Sequence, residues 1–476
     1  MAYAGVSLVR LRGPTALRWA MQFARDPLLA TRRVFDAFGP FVSLSVGLPL
    51  VRRSRTVLLG VPLMLTAGAA FQRELFSDQE TWRGVSVLPG GPKGSAARRI
   101  SAGLTRLTGA RHAHYRKLVQ TAMRRTNVEA AAARMAQIMQ AEIARWPLDA
   151  AIDLSEHIRQ LMRGIIVEFL FGGDSAETRA IAELTSHITE HKWARSAFAL
   201  PVNLPITTFG RILRESELLE RRILEWAASK RGTIDEADLG SIIVNSPDAD
   251  GNPPGDDTIV SQLASLFALS SEGSESVLIW TLLLVQQHPA VTAALRDELH
   301  ARLGRKSPSL DQTGDLPYLD AVVKESMRIL PPVPLLIRVA QRDTTIAGHA
   351  VPQGTRAILN TFLTNRMPDV YPEGHLFRPE RWFTVTPSAF EFPVFGAGAR
   401  ACPGHWFGSS AVKIALAGIL THGQLDLPSD TRIDYRVQPT MRPRQSIRAI
   451  FHRNDGIKPT AAPVSGTIRA LVDFPH

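Results

Sequence analysis

The stretch Phe395-Gly396-Ala397-Gly398-Ala399-Arg400-Ala401-Cys402-Pro403-Gly404 holds the only cysteine of a 476-residue chain. Glycines before and after the sulfur let the backbone turn tightly and bring its own N–H groups toward a thiolate. Arg400, two residues earlier, can meet a nearby anion. A lone cysteine is most often a small buried packing residue. A thiolate wrapped in glycine, with an aromatic ring and a cation beside it, instead has the setting of a metal ligand. One cysteine excludes an intramolecular disulfide and any zinc or iron–sulfur centre built from several cysteines of one chain.

Hydrophobic residues make up 45% of the sequence, which suits a globular protein with ample core. The formal charge of +11 is spread along the chain rather than gathered in a run. No zinc-finger spacing, basic-region heptad or RNA-binding aromatic motif accompanies it, so nucleic acid is not an expected partner; a basic face for an acidic protein is. Arg10, Arg12 and Arg18 interrupt any apolar signal core. The most apolar stretch, residues 56–71, is shorter than the roughly 20 residues that span a bilayer, so no transmembrane anchor is expected. The basic, partly amphipathic segment around Leu17 to Phe35 leaves peripheral membrane contact as a minor alternative.

The apolar pattern predicts a hairpin from Phe41–Val51 and Thr56–Val61, then a long Gly/Pro/Ser/Arg loop over Val85–Thr108. Helical spacing follows over 112–145, 152–171 (stopped by Gly172-Gly173), 211–231 and 257–287, the last ended by His288-Pro289. Further helices reach Leu330, where Pro331-Pro332 and Pro334 end the pattern. Strand-like pieces and turns run through Phe392, and a helix resumes from Trp406 to about Thr421. The fold class predicted is mainly α with small β-sheets near both ends. Residues 1–35 are expected to form an N-terminal leader segment and 36–476 a single domain.

Phe395, Gly398, Arg400, Cys402 and Gly404 make the pattern Phe-x-x-Gly-x-Arg-x-Cys-x-Gly, which closely resembles the haem-binding loop of the cytochrome P-450 superfamily. Glu325 and Arg328 are one helical turn apart and, taken alone, would form a surface ion pair worth about 0–1 kcal/mol. With Arg381, in Phe377-Arg378-Pro379-Glu380-Arg381, they resemble that superfamily's structural Glu-Arg-Arg triad. His112 and Arg116 resemble its His-x-x-x-Arg pair, and Arg338 and Arg400 two further contacts to the haem propionates. The resemblance covers essentially the whole chain. It implies the cytochrome P-450 fold and haem b with Cys402 as the metal ligand, whose thiolate favours O–O cleavage. It also implies a monooxygenase that inserts one atom of O2 into a lipophilic small molecule. No flavin or iron–sulfur domain is fused, so electrons would come from a separate ferredoxin and its NAD(P)H-dependent reductase. A soluble, cytoplasmic enzyme of bacterial type is the expected form.

In the helix 257–287 the resemblance places Glu272, Gly273 and Ser274 at the oxygen-binding segment, where most relatives have an acid followed by a threonine. The acid is Glu272, but glycine stands at the threonine position. Three explanations stay open: Ser274 supplies the hydroxyl after a local bulge, a substrate hydroxyl or water does, or the reaction has relaxed proton demand, as in oxidative coupling or peroxide-driven oxidation. A non-catalytic haem-binding protein is the remaining rival. The pocket is expected to be lined by the 85–107 loop, by Leu266, Phe267 and Leu269, and by Val333, Leu335 and Leu336, an apolar set that suits a lipophilic substrate. Arg98 and Arg99 of the loop are placed to meet a carboxylate or to be solvated.

Overall fold

The 32-residue helix Asp256–Gln287 is the axis on which the other elements are hung. Asp256 and Asp257 complement the dipole of its first turn, and Pro289 obliges the chain to turn into the next helix, Pro289–Leu303. From Ser276 to Gln287 every side chain is buried, so this half is covered on all sides. Helix Leu154–Phe171 and helix His405–His422 pack against it, and helix Pro317–Ile329 closes the far end. The computed structural model describes residues 7–45, 62–84, 90–194, 196–197, 200–234, 238–248, 250–304, 312, 314–453 and 462–475.

A six-stranded sheet flanks this helical body. Its order in space is Val9–Arg12, Phe41–Ser45, Leu63–Thr66, Arg356–Asn360, Leu335–Ala340 and Trp82–Gly84. The first pair and the Leu63–Thr66/Arg356–Asn360 pair are parallel, and the others antiparallel. A three-stranded sheet joins Gly423–Asp426, Arg448–Arg453 and Ala151–Asp153 near the C-terminal end. Two short hairpins, Thr344–Ile346/His349–Val351 and Tyr435–Gln438/Thr440–Pro443, complete the β-structure among the described residues. The mainly α architecture with small sheets matches the sequence-based expectation.

Several boundaries differ. The first expected hairpin strand forms as Phe41–Ser45, but its partner is Leu63–Thr66; residues 56–61 lie outside the described residues. The helical stretch 112–145 is two helices, Gly109–Ala122 and Arg125–Ile143, and the 85–108 loop contains the short helix Ala96–Arg99. The segment up to residue 35 is not a separate leader over its described part. Strand Val9–Arg12 is hydrogen-bonded into the large sheet, and Trp19 is buried with its Nε1–H donating to Ala30 O at 3.2 Å. The Tyr435 hydroxyl donates to Asp26 Oδ2 at 2.5 Å, which ties the N-terminal helices to the C-terminal hairpin.

Candidate active site around Cys402

The cysteine loop is built from two one-turn 3-10 segments, Pro393–Phe395 and Gly398–Arg400, ahead of helix His405–His422. Gly396 and Gly398 have φ of +67° and +63°, the left-handed region that a side chain disfavours. A Cβ on Gly398 would also stand 3.2 Å from the Phe76 carbonyl. These turns carry Cys402 N–H onto the Phe395 carbonyl at 2.7 Å. The sulfur comes to rest just before the positive end of the helix that starts at His405. Burial pushes its thiol up, and the Gly404 N–H and the Arg116 guanidinium act in the opposite direction. Cys402 nevertheless retains exposed surface, which fits a deep side chain that faces an internal space. A Cβ on Gly404 would lie 3.1 Å from Met123 Sδ and 4.0 Å from Cys402 Sγ, so glycine keeps the sulfur's flank open.

Four cationic candidates converge here. His112 is 7% exposed, and burial first, then Arg400 and Arg116, bring its imidazole down to about 4. It is therefore neutral near pH 7 and can still donate one ring N–H. Arg338 sits on strand Leu335–Ala340, above the Phe76 ring at 5.3 Å, and is brought down to about 10 by burial and by Arg400. Its guanidinium occupies the place a side chain on Gly84 would need, 2.5 Å from that Cβ position. Arg400 is lowered by burial, Arg116 and Arg83. It donates to Leu107 O at 2.7 Å and to Gln79 Oε1 at 3.1 Å, which fastens the cysteine loop to the 104–107 segment. For Arg116 the one opposing charge is Cys402. Among the described residues none of Arg116, Arg338 and Arg400 has a carboxylate within ion-pair reach.

That imbalance tests the fit of a haem. Guanidiniums partly withdrawn from water are costly without anions, and these three, half-buried, repel one another beside a single thiol. A group with two carboxylates and a metal that takes sulfur is the electrostatic complement of this arrangement, so the residues present fit haem.

The long helix supplies the opposite wall. It is regular from Asp256 to Gln287, without the bulge that would carry Ser274 into Gly273's place. Ser274 lies about 100° around the helix. It is buried, with Oγ 3.9 Å from where a Cβ on Gly408 would be, facing the cysteine-loop helix. Among the described residues nothing lies within 4 Å of a Cβ placed on Gly273. Glu272 is held by Arg442 at 3.7 Å, and Arg442 is equally 3.7 Å from Glu275. Burial, opposed by Arg442 and assisted by Glu275 and Glu190, pushes Glu272 up to about 7. Leu269 is 52% exposed while Ala268 and Ser270 beside it are half-buried, so open space meets the helix there. Phe267 is a correction to the expected pocket: it turns into the core, its ring 6.3 Å from that of Phe171. Leu266 is also buried, while Val333, Leu335 and Leu336 are half-buried.

Glu325 and Arg328 are fully buried and Arg381 nearly so. Arg328 donates Nε and Nη2 to the two Glu325 oxygens at 2.8 Å each, and Arg381 Nε donates to Oε1 at 2.9 Å. The Arg378 N–H at 2.9 Å and the Trp382 indole at 3.0 Å complete the shell. Burial alone would raise this carboxyl; Arg328, Arg381 and the Arg378 N–H outweigh it and hold it below the usual range. The remaining guanidinium donors go to the carbonyls of Pro372, Gly374, Leu376 and Asn365. Sequence reasoning missed Trp382, although it adjoins Arg381. It also missed Arg442, which carries no local signal because a distant hairpin brings it to Glu272. Arg99, half-buried, meets a carboxylate of the chain itself, donating to the two Glu220 oxygens at 2.5 and 2.6 Å.

A family model described as Cytochrome P450 matches residues 91–450. Cyclooctatin synthase of Streptomyces melanosporofaciens is 28% identical over 365 residues, covering 74% of this chain and 79% of that one. Pentalenene oxygenase of Streptomyces avermitilis is 27% identical over 334 residues, covering 68% and 73%. Among solved structures, the cytochrome P450DA heme domain aligns with TM-score 0.79 at 17% identity, over 96% of this chain and 99% of that one. A retinoic acid-bound cyanobacterial CYP120A1 aligns with TM-score 0.75 at 21% identity, over 89% and 93%. At these identities the structural likeness carries the fold.

Proposed function

The chain belongs to the cytochrome P450 family, and from that premise we propose that it hydroxylates a lipophilic small molecule with electrons from a separate ferredoxin and its NAD(P)H-dependent reductase. As a member it is a haem-thiolate monooxygenase. The observation that carries the site assignment is the cluster of buried His112 and half-buried Arg116, Arg338 and Arg400 beside Cys402, without carboxylates of its own among the described residues. Cys402 would hold the iron of haem b, and the cluster its propionates. Bound there, haem supplies reductive activation of O2 and transfer of one oxygen atom to carbon.

The protein's own share is positioning, exclusion of water and proton handling. Gly404 N–H and the helix start behind it favour negative charge on Cys402 Sγ. The apolar surface offered by Leu269, Val333, Leu335 and Leu336 selects for a lipophilic molecule by displacing water. Glu272, poised to gain and lose a proton near pH 7, is placed to move protons along the helix face, with Arg442 fixing its carboxylate. The names of the relatives support this class of substrate, since pentalenene oxygenase acts on pentalenene and CYP120A1 binds retinoic acid.

Carbon monoxide binding to the reduced protein tests the assignment. The wild type should give the absorption band near the wavelength that names the family, and Cys402→Ala should lose it; a band retained by Cys402→Ala overturns the reading. Gly273, with no hydroxyl at that point and open space beside it, favours one second reading, in which peroxide drives oxidation. Turnover with peroxide but not with O2 and reductant would select it.

A further inference from the structure

At the last turn of helix Ala176–Trp193, Lys192 is only 6% exposed, yet among the described residues no carboxylate lies within ion-pair reach of it. Among the described residues its one hydrogen bond runs from Nζ to Ser101 Oγ at 2.7 Å. Ser101 spends its own hydroxyl proton on Ala97 O at 2.8 Å, so it serves Lys192 as acceptor only. An ammonium has three donors, and two of these are left over. Burial, and then the cation Arg106, bring this amine down to about 8; no acid offsets them. The next residue adds a second orphan, because Trp193 Nε1 is buried without a partner among the described residues.

The loop that Lys192 holds is seated directly on the long helix. A Cβ on Gly103 would stand 1.7 Å from Ser265 Oγ and 2.6 Å from Ser261 O, so only glycine permits this approach. One turn beyond Ser265 the helix reaches exposed Leu269, and one turn beyond that Gly273. The helix path from Ser265 to Gly273 is about 12 Å. A buried cation with unused donors therefore stands at one end of a helix face whose other end carries the oxygen-binding segment. The neighbouring arginine of the same loop, Arg99, is already neutralised by Glu220, and Arg106, the other cation beside Lys192, is exposed to solvent, which leaves Lys192 as the buried deficit.

We propose that Lys192 anchors a carboxylate at the remote end of the lipophilic substrate, so that this enzyme selects lipophilic acids over their neutral analogues. This rests on the monooxygenase reading above and narrows its substrate class. In a water-poor setting the ammonium gives the carboxylate charge-assisted hydrogen bonds, and the carboxylate removes the cost of the unpaired ammonium. The apolar remainder of the molecule then lies along the Leu269 face.

The test uses the haem-loaded protein and three probes that differ only at the head group: hexadecanoic acid, its methyl ester and hexadecan-1-ol. Binding is read from the shift of the haem absorption band and, in parallel, from the thermal denaturation midpoint, which needs no haem chromophore. The wild type should bind the acid at least tenfold more tightly than the ester or alcohol. Lys192→Met should lose that preference while its affinity for the ester stays unchanged, and Lys192→Arg should keep most of it. Equal affinities in the wild type, a preference that survives in Lys192→Met, or no saturable binding of the acid overturns the proposal. Imidazole separates the two readings: a band shift with imidazole but no preference for the acid removes only the Lys192 anchor. No shift with imidazole removes the haem reading, and the thermal midpoints still decide the anchor.

Discussion

Gly273 leaves a notch in a helix wall where its neighbours carry side chains, and the notch has room. Among the described residues nothing stands within 4 Å of a Cβ there, and the helix is regular, so Gly273→Thr should be accommodated without shifting the backbone. Threonine should also firm the helix by a few tenths of a kcal/mol relative to glycine. If the missing hydroxyl limits proton supply, this variant should release less peroxide per NAD(P)H consumed and give more product; an unchanged ratio would show that water or substrate already does the work. Glu272 yields a second prediction at the same scale. Its folded value, about 7, lies above the ordinary carboxyl value of 4.5, so the native state binds the extra proton between those limits. Stability is then greatest below about pH 4.5 on this group's account and falls as pH rises toward 7. Glu275, also raised by burial, acts in the same direction. Glu272→Gln should therefore gain on the order of 1–3 kcal/mol over wild type at pH 8 and little at pH 5. Urea midpoints of both proteins at the two pH values measure it, and a constant difference would refute the assignment.

Between elements, the fold depends most on how helix Pro317–Ile329 is fastened to the segment 372–382. Glu325 receives five donors, from Arg328 (two), Arg381, the Arg378 N–H and Trp382, and each guanidinium also binds backbone carbonyls of the connecting segment. Breaking one member leaves buried charge without a partner, a loss typically about 3–5 kcal/mol. Glu325→Gln should accordingly yield little soluble haem-loaded protein. Arg328→Lys should fare nearly as badly, because lysine cannot reproduce the fork to both oxygens together with three carbonyl contacts. Trp382→Phe removes only the indole donor and should cost about 1 kcal/mol, with the carbon monoxide band intact. A Glu325→Gln protein that accumulated normally would show that the triad is dispensable. Spacing alone made Glu325 and Arg328 a surface pair; the triad with Arg381 was legible only through the resemblance of the Glu-x-x-Arg and Phe-x-Pro-x-Arg runs to the superfamily's. Arg442 was not legible, since its partner Glu272 is 170 positions away in sequence and only the Thr440–Pro443 strand of the C-terminal hairpin brings them together.

For the molecule as a whole, the elements readable in the sequence were those whose boundaries are local chemistry. Helix Asp256–Gln287 begins at a Gly/Pro/Asp loop and ends at His288-Pro289, and helix Leu154–Phe171 stops at Gly172 with φ +69°. The break at Met123–Arg124 has no glycine or proline to announce it; it falls where Met123 packs beside Gly404 of the cysteine loop, a contact between residues distant in sequence. Strand Val9–Arg12 was hidden for a similar reason, because its parallel partner lies some thirty residues on and two helices intervene. The same contact at Met123 sets up a prediction about electron supply. Arg124 and Arg125 follow it directly and are both exposed, with Arg125 lying 5.3 Å over the Trp406 ring at the start of the cysteine-loop helix. In a chain of net charge +11, these cations, of which Arg125 also pairs with Glu129 at 2.5 Å, lie by the start of the cysteine-loop helix and suit the acidic ferredoxin proposed above. Exposed charges of this kind act mainly on encounter rate and are screened within about 10 Å at 0.1 M salt. Raising ionic strength from about 0.02 to 0.2 M should slow reduction by ferredoxin several-fold without altering the carbon monoxide band. Arg124→Glu with Arg125→Glu should lower the rate at low salt and flatten its salt dependence, while reduction by dithionite stays the same. A salt-independent rate in the wild type, or a double variant reduced as fast as wild type, would place the electron-donor surface elsewhere on the molecule.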